Sequence, residues 1–110
     1  MKPIIKVIIP AYNEADAITK VINDIPNSVE EIIVVNNAST DATPENAKKS
    51  GATVLFEAKK GYGYACLKGM DYIENSKEKT DIVVFLDGDY SDYPEELKKI
   101  VAPIIENNID

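Results

Sequence analysis

The chain has 110 residues, 45% of them apolar, which is enough for one compact core and too little for two ordinary domains. Nineteen acidic against twelve basic residues give a formal charge of -7, and the adjacent lysines occur only as Lys48-Lys49, Lys59-Lys60 and Lys98-Lys99, so nucleic acid is not an expected partner. A single cysteine, Cys66, and no histidine exclude an intrachain disulfide and a zinc-type ligand set, so that any metal would be a hard cation held by oxygen, Mg²⁺ or Mn²⁺.

The first element is a strand over Ile4 to Ile9, ending in Pro10-Ala11-Tyr12-Asn13-Glu14. A helix follows with Ala15, Ile18, Ile22 and Ile25 on one stripe, and Asn13 is positioned to cap it. The end of that strand offers free amides at a helix start, where Tyr12 could lie against a base and Glu14 accept from it; capping by Asn13 alone is the simpler alternative.

A second β-branched run, Ile32 to Val35, leads into the polar stretch Asn36-Asn37-Ala38-Ser39-Thr40-Asp41, suited to reading a base and ribose but also ordinary as a loop. The next helix starts at Thr43 with Pro44 in its first turn and stops at Gly51. A third strand, Thr53 to Phe56, precedes Lys59-Lys60-Gly61-Tyr62-Gly63, where two glycines either let the backbone approach a ligand or simply make a tight turn. A third helix is expected from near Tyr64 to Asn75, with Cys66, Met70 and Ile73 aligned.

The fourth strand, Ile82 to Leu86, delivers Asp87-Gly88-Asp89 where the chain leaves the core. Two carboxylates there can share a hard cation and leave coordination positions for phosphate oxygens, although Asp-Gly is also a common turn dipeptide. A last helix would carry Leu97, Ile100, Val101, Ile104 and Ile105 on one face, with Pro103 kinking it or ending it early.

Each strand is apolar on successive residues, the pattern of parallel strands covered on both faces, and strands alternate with helices. This predicts an α/β fold, a Rossmann-like three-layer αβα arrangement with a mostly parallel sheet in the order 3-2-1-4. All four polar clusters then fall at the carboxyl ends of strands, where such sheets bind ligands, and Pro10 to Glu14 lies beside Asp87 to Asp89. No apolar run approaches the ~20 residues that span a bilayer, and no signal peptide is visible, which makes a cytoplasmic location the default expectation.

Taken together these segments resemble the amino-terminal half of family-2 glycosyltransferases, GT-A-fold enzymes that use nucleotide-diphosphate sugars. Val7 to Glu14 is similar to that family's first strand and opening loop, Glu31 to Thr43 to its second signature, usually written Val-Asp-Asp-Gly-Ser-Thr-Asp, and Asp87-Gly88-Asp89 to its Asp-X-Asp motif. The resemblance implies a nucleotide-binding set of Pro10, Ala11, Tyr12, Glu14, Asn36, Ser39, Lys60, Gly61, Gly63, Asp87 and Gly88. Asp87 and Asp89 would hold Mg²⁺ or Mn²⁺ on the diphosphate. The departure is Asn36, where the family often has an aspartate that accepts from the ring imide of the base.

By the same resemblance the partner is a UDP- or GDP-sugar and the reaction an inverting transfer to an acceptor hydroxyl. The acceptor pocket and the catalytic base would belong to a carboxyl-terminal half beyond Asp110, so no catalytic residue is expected here. Residues 1–110 would then be one truncated donor-binding domain, inactive alone, with membrane association only through other parts of a parent protein. A non-catalytic assembly module that forms a homo-oligomer through an exposed sheet edge is the alternative.

Overall fold

A computed structural model describes residues 3–86 and Gly88, and the backbone alone of Val101–Pro103. The four β-branched runs form parallel strands β1 (Ile5–Ala11), β2 (Glu31–Asn36), β3 (Thr53–Phe56) and β4 (Ile82–Phe85). Between them lie helices α1 (Ile18–Asn23), α2 (Thr43–Lys49) and α3 (Tyr62–Glu74). The sheet order is β3-β2-β1-β4-β5, so the predicted order 3-2-1-4 and Rossmann-like architecture are what the chain adopts, extended by β5 (Val101–Pro103), antiparallel to β4.

The unbroken apolar runs are explained by the two cores that they feed. Val7, Ile9, Ala11, Val34 and Val84 pack with Ile18, Val21, Ile22 and Ala47 on one side of the sheet. Ile8, Ile33, Val35 and Val83 pack with Ala65 and Ile73 on the other. Each fully buried Val or Ile contributes about 1.5–3 kcal/mol relative to exposure, so neither face can be left to water. On the α3 side the approach is close: a Cβ on Gly69 would sit 2.7 Å from Ile8 Cγ2 and 2.9 Å from Ile8 Cδ1, so only glycine lets the helix rest on β1.

At the start of β1 the apolar run is interrupted by Lys6, which is 1% exposed. Its Nζ lies 3.3 Å from Glu31 Oε1 and 3.1 Å from Glu78 Oε1, while Glu31 Oε2 accepts from Tyr72 Oη and Thr53 Oγ1, both at 2.7 Å. Burial alone would lower the lysine's pKa and raise the glutamate's; the hydrogen-bonded partners outweigh it and move Lys6 up and Glu31 down. This network ties the amino ends of β1, β2 and β3 to α3.

Two expectations are corrected. The final helix does not include Val101–Pro103, which form an edge strand with Pro103 opposite Ile82. A proline's missing N–H and ring are costly inside a helix and tolerated on an edge strand, and Val101 and Ala102 fit a strand as well as a helix. The flanking Leu97, Ile100, Ile104 and Ile105 lie outside the described residues. Asn13 does not cap α1: it has φ 54, and the helix begins only at Ile18 after a turn in which the Glu14 carbonyl accepts from Ala17 N at 3.0 Å and Ile18 N at 2.8 Å. Among the described residues no helix is long and apolar enough to cross a membrane.

Candidate functional site

The register Ala11↔Asn36 and Asn36↔Phe56 sets the carboxyl ends of β1, β2 and β3 side by side. The loops leaving these strands are therefore gathered at one end of the sheet.

The turn after β1 is held by the loop after β2. Asn13 N donates to Ser39 Oγ at 3.0 Å, Asn13 Oδ1 accepts from Thr40 N at 2.8 Å, and Glu14 N donates to Thr43 Oγ1 at 2.8 Å. Ala15 N donates to Asp41 Oδ2 at 3.2 Å, and Asn46 Nδ2 on α2 donates to the Ala15 carbonyl at 2.9 Å. The Thr43 hydroxyl, helped by the backbone N–H groups of Thr43 and Ala15, holds the Asp41 carboxyl below its ordinary pKa. Asn36 serves the same loop, its Oδ1 accepting from Ser39 N at 3.0 Å. Ala38 takes φ 63, a left-handed position disfavoured for a residue with a Cβ.

Asn37 joins three strand ends. Its backbone N–H donates to the Ala11 carbonyl at 2.8 Å, prolonging the ladder between β1 and β2. Its side chain donates to the carbonyls of Glu57 at 3.0 Å and Lys59 at 2.8 Å, and accepts from Gly61 N at 2.9 Å. Gly61, at φ 138, then turns the chain into α3, a conformation that a side chain would strain. Just before it, the Lys60 ammonium stands 4.6 Å from the centroid of the Tyr12 ring and 3.1 Å from its hydroxyl.

These segments enclose a cleft of about 290 Å³ lined by Pro10, Ala11, Tyr12, Glu14, Asn37, Tyr62 and Gly88. Gly88 forms a tight wall: a Cβ there would lie 3.2 Å from Ala11 Cβ and 3.4 Å from Glu14 Cγ. The amides of this turn, expected from sequence to be free, are already bonded to Ser39, Thr43 and Asp41, so it is the Tyr12 ring and the Glu14 carboxylate beside a strand-end glycine that suit a planar base joined to a polar tail.

Of the residues singled out from sequence, Pro10, Ala11, Tyr12, Glu14 and Gly88 share this cleft, and Lys60 reaches it by covering Tyr12. Gly61 supports it from behind through Asn37, while Gly63 lies in the first turn of α3. Asn36, 7% exposed, and Ser39 are engaged in contacts within the loop after β2 and with Asn13, and are not among the cleft's lining residues. Asp87 and Asp89 lie outside the described residues. Asn37 and Tyr62 also enter the cleft; both belong to segments picked out from sequence, the loop after the second strand and the stretch Lys59 to Gly63, but neither is in the nucleotide-binding set that the resemblance implied. A polar amide directly after a buried strand and an aromatic between two glycines were the available signals.

Residues 6–110 match the family described as Glycosyl transferase family 2. Protein RfbJ of Shigella flexneri is 35% identical over 108 residues, which cover 96% of this chain and 80% of RfbJ. Glycosyltransferase AglE of Haloferax volcanii is also 35% identical, over 98% of this chain but only 38% of its own length. Among solved structures, glucosyl-3-phosphoglycerate synthase from Mycobacterium tuberculosis in complex with Mn²⁺, uridine diphosphate and glucosyl-3-phosphoglycerate aligns with a TM-score of 0.67 at 33% identity, covering 78% of this chain and 33% of that one. The same synthase has also been crystallised with Mg²⁺ and uridine diphosphate. The chain thus spans most of RfbJ and well under half of the other two. With the strand order, the strand-end cleft and a match over residues 6–110 in agreement, this chain belongs to glycosyl transferase family 2.

Proposed function

We propose that residues 1–110 form one donor-binding domain, which grips a UDP- or GDP-sugar through a divalent cation for inverting transfer of the sugar to an acceptor hydroxyl. The observation that carries this reading is the cleft itself, in which Gly88, the residue between Asp87 and Asp89, is packed against Ala11 and Glu14. Tyr12, 42% exposed, offers its ring to the base, and Glu14 offers its carboxylate to base or ribose.

The donor set fits Mg²⁺ or Mn²⁺: the residues flanking Gly88 are both carboxylates, and the chain has no histidine. Asp87 and Asp89 would hold the cation, with Asp87 also on the nucleotide. When bound, such a cation neutralises charge on the departing diphosphate. The protein's own part is to orient base and ribose with Pro10, Ala11, Tyr12 and Glu14 and to keep Lys60 at the cleft's edge. Support comes from the mycobacterial synthase, whose structures hold uridine diphosphate with Mn²⁺ or Mg²⁺.

Calorimetric titration with UDP and GDP derivatives, with and without Mn²⁺, tests the proposal. Mn²⁺-dependent binding that is lost in Asp89→Asn is expected; no binding by the wild type, or binding indifferent to that substitution, refutes it. A second reading, self-association through a sheet edge, is favoured by the edge position of β3 and by Phe56 at its end, 60% exposed. A specific dimer in sedimentation, without nucleotide binding, would replace the first reading with it.

A further inference from the structure

We infer that Asn37 is a positioning residue of the donor site: its neutral amide latches the loop between β3 and α3, and so sets Lys60 over Tyr12 and Tyr62 at the cleft wall. The inference rests on the donor-binding reading for its consequence, but the latch itself is a property of the free protein.

The chemistry of the side chain is what the latch requires. Both hydrogens of Nδ2 are donated, to the carbonyls of Glu57 and Lys59, and Oδ1 takes the Gly61 N–H, so three of the four bonding positions of the amide are engaged within one loop. Asn37 is 6% exposed, so water does not replace these bonds cheaply. An ionised aspartate has the same shape and can still accept from Gly61, but it would present bare oxygen to two carbonyl oxygens. The loop would then be released at Glu57 and Lys59, the residues on either side of Ala58, and Lys60 follows directly. Asn37 is fixed in turn by its own N–H on the Ala11 carbonyl, so the latch refers the loop to β1, the strand that leads into Tyr12. Glu57 reinforces it, its carboxylate accepting from Lys59 N at 3.0 Å.

The test uses NMR on the free chain and titration with UDP and Mn²⁺. In the wild type, both Asn37 side-chain amide protons should exchange slowly with solvent, and the Lys60 ε-methylene should be shifted upfield by the Tyr12 ring. N37D should erase the upfield shift, leave the dispersed spectrum of the two cores intact, and weaken UDP binding about tenfold, as expected for buried carbonyls left without donors. Fast exchange of the Asn37 amide protons in the wild type overturns the latch, even if N37D does not fold. Retention of the Lys60 shift and of UDP affinity in N37D also overturns it. If the wild type shows slow amide exchange and the ring shift but binds no UDP, the latch stands and the donor-binding reading fails.

Discussion

Replacing Lys6 by methionine should cost this protein more stability than any surface ion pair could supply. Lys6 is 1% exposed, and its ammonium is 3.3 Å from Glu31 and 3.1 Å from Glu78. Methionine fills a similar volume, so the packing term is small and the main effect is a partly buried carboxylate deprived of its cation. Stranding a buried charge typically costs about 3–5 kcal/mol. Here the low end, roughly 3 kcal/mol, applies, because Glu31 is 23% exposed and keeps the Tyr72 and Thr53 hydroxyls, while Glu78 is 45% exposed and can turn to water.

Urea unfolding followed by circular dichroism measures this directly, and the melting temperature should fall by more than about 10 °C. The double variant K6M/E31Q should regain at least about 1 kcal/mol over K6M, because no charge is then left stranded. The pH dependence has a definite sign. Glu31 is held below its usual range, so its contribution is complete above the ordinary carboxylate pKa and fades as pH falls through the lowered one. Lys6 is held above its usual range, so its contribution is complete below the ordinary lysine value and fades as pH rises through the raised one. The K6M deficit should therefore be level from roughly pH 5 to 10 and shrink in acid, where Glu31 protonates. A variant within about 0.5 kcal/mol of wild type, or strict additivity of K6M and E31Q, would refute this reasoning.

Other substitutions probe single contacts. Gly69→Ala places a methyl 2.7 Å from Ile8 Cγ2, and an overpacking cost of about 1–3 kcal/mol should exceed the ~1 kcal/mol of helix propensity gained, a net loss visible in urea unfolding. Ala38→Gly relieves a left-handed residue at φ 63 and should stabilise by about 0.5–1 kcal/mol, the strain removed exceeding the added freedom of the unfolded chain, again read from the urea midpoint. Gly88→Ala brings a methyl to 3.2 Å from Ala11 Cβ in the cleft wall and should weaken Mn²⁺-dependent UDP binding about fivefold or more with little change in melting temperature, checked by calorimetry on the same samples.

Much of the fold was legible because its strands are built from residues that have no other use. A run such as Ile32 to Val35, β-branched and without a polar position, can only be covered on both sides, and that forces helices onto both faces. Local pattern was ambiguous where one residue fits two periods, as Val101 does, and there the pairing with β4 decided. Lys6 was hidden for a similar reason. A lysine inside a strand reads as an interruption until Glu31, Tyr72 and Glu78, distant in sequence, are seen around it.

At the site, position at a strand end brought Tyr12, Glu14 and Gly88 into view, because any such sheet gathers them. It did not separate Asn36 from Asn37. Neighbours in a strand point to opposite faces, and which amide enters the cleft depends on register and on what the next loop demands.

The turn that carries Asn13 and Glu14 has its amides fastened by Ser39, Asp41 and Thr43 before any nucleotide arrives. A loop ordered in this way has surrendered its conformational entropy at folding, so a ligand that docks there need not order it again. Substitutions at Ser39, Asp41 or Thr43 would then act as a loss of readiness: the same contacts would be available to the bound nucleotide, but from a turn that is arranged correctly less of the time.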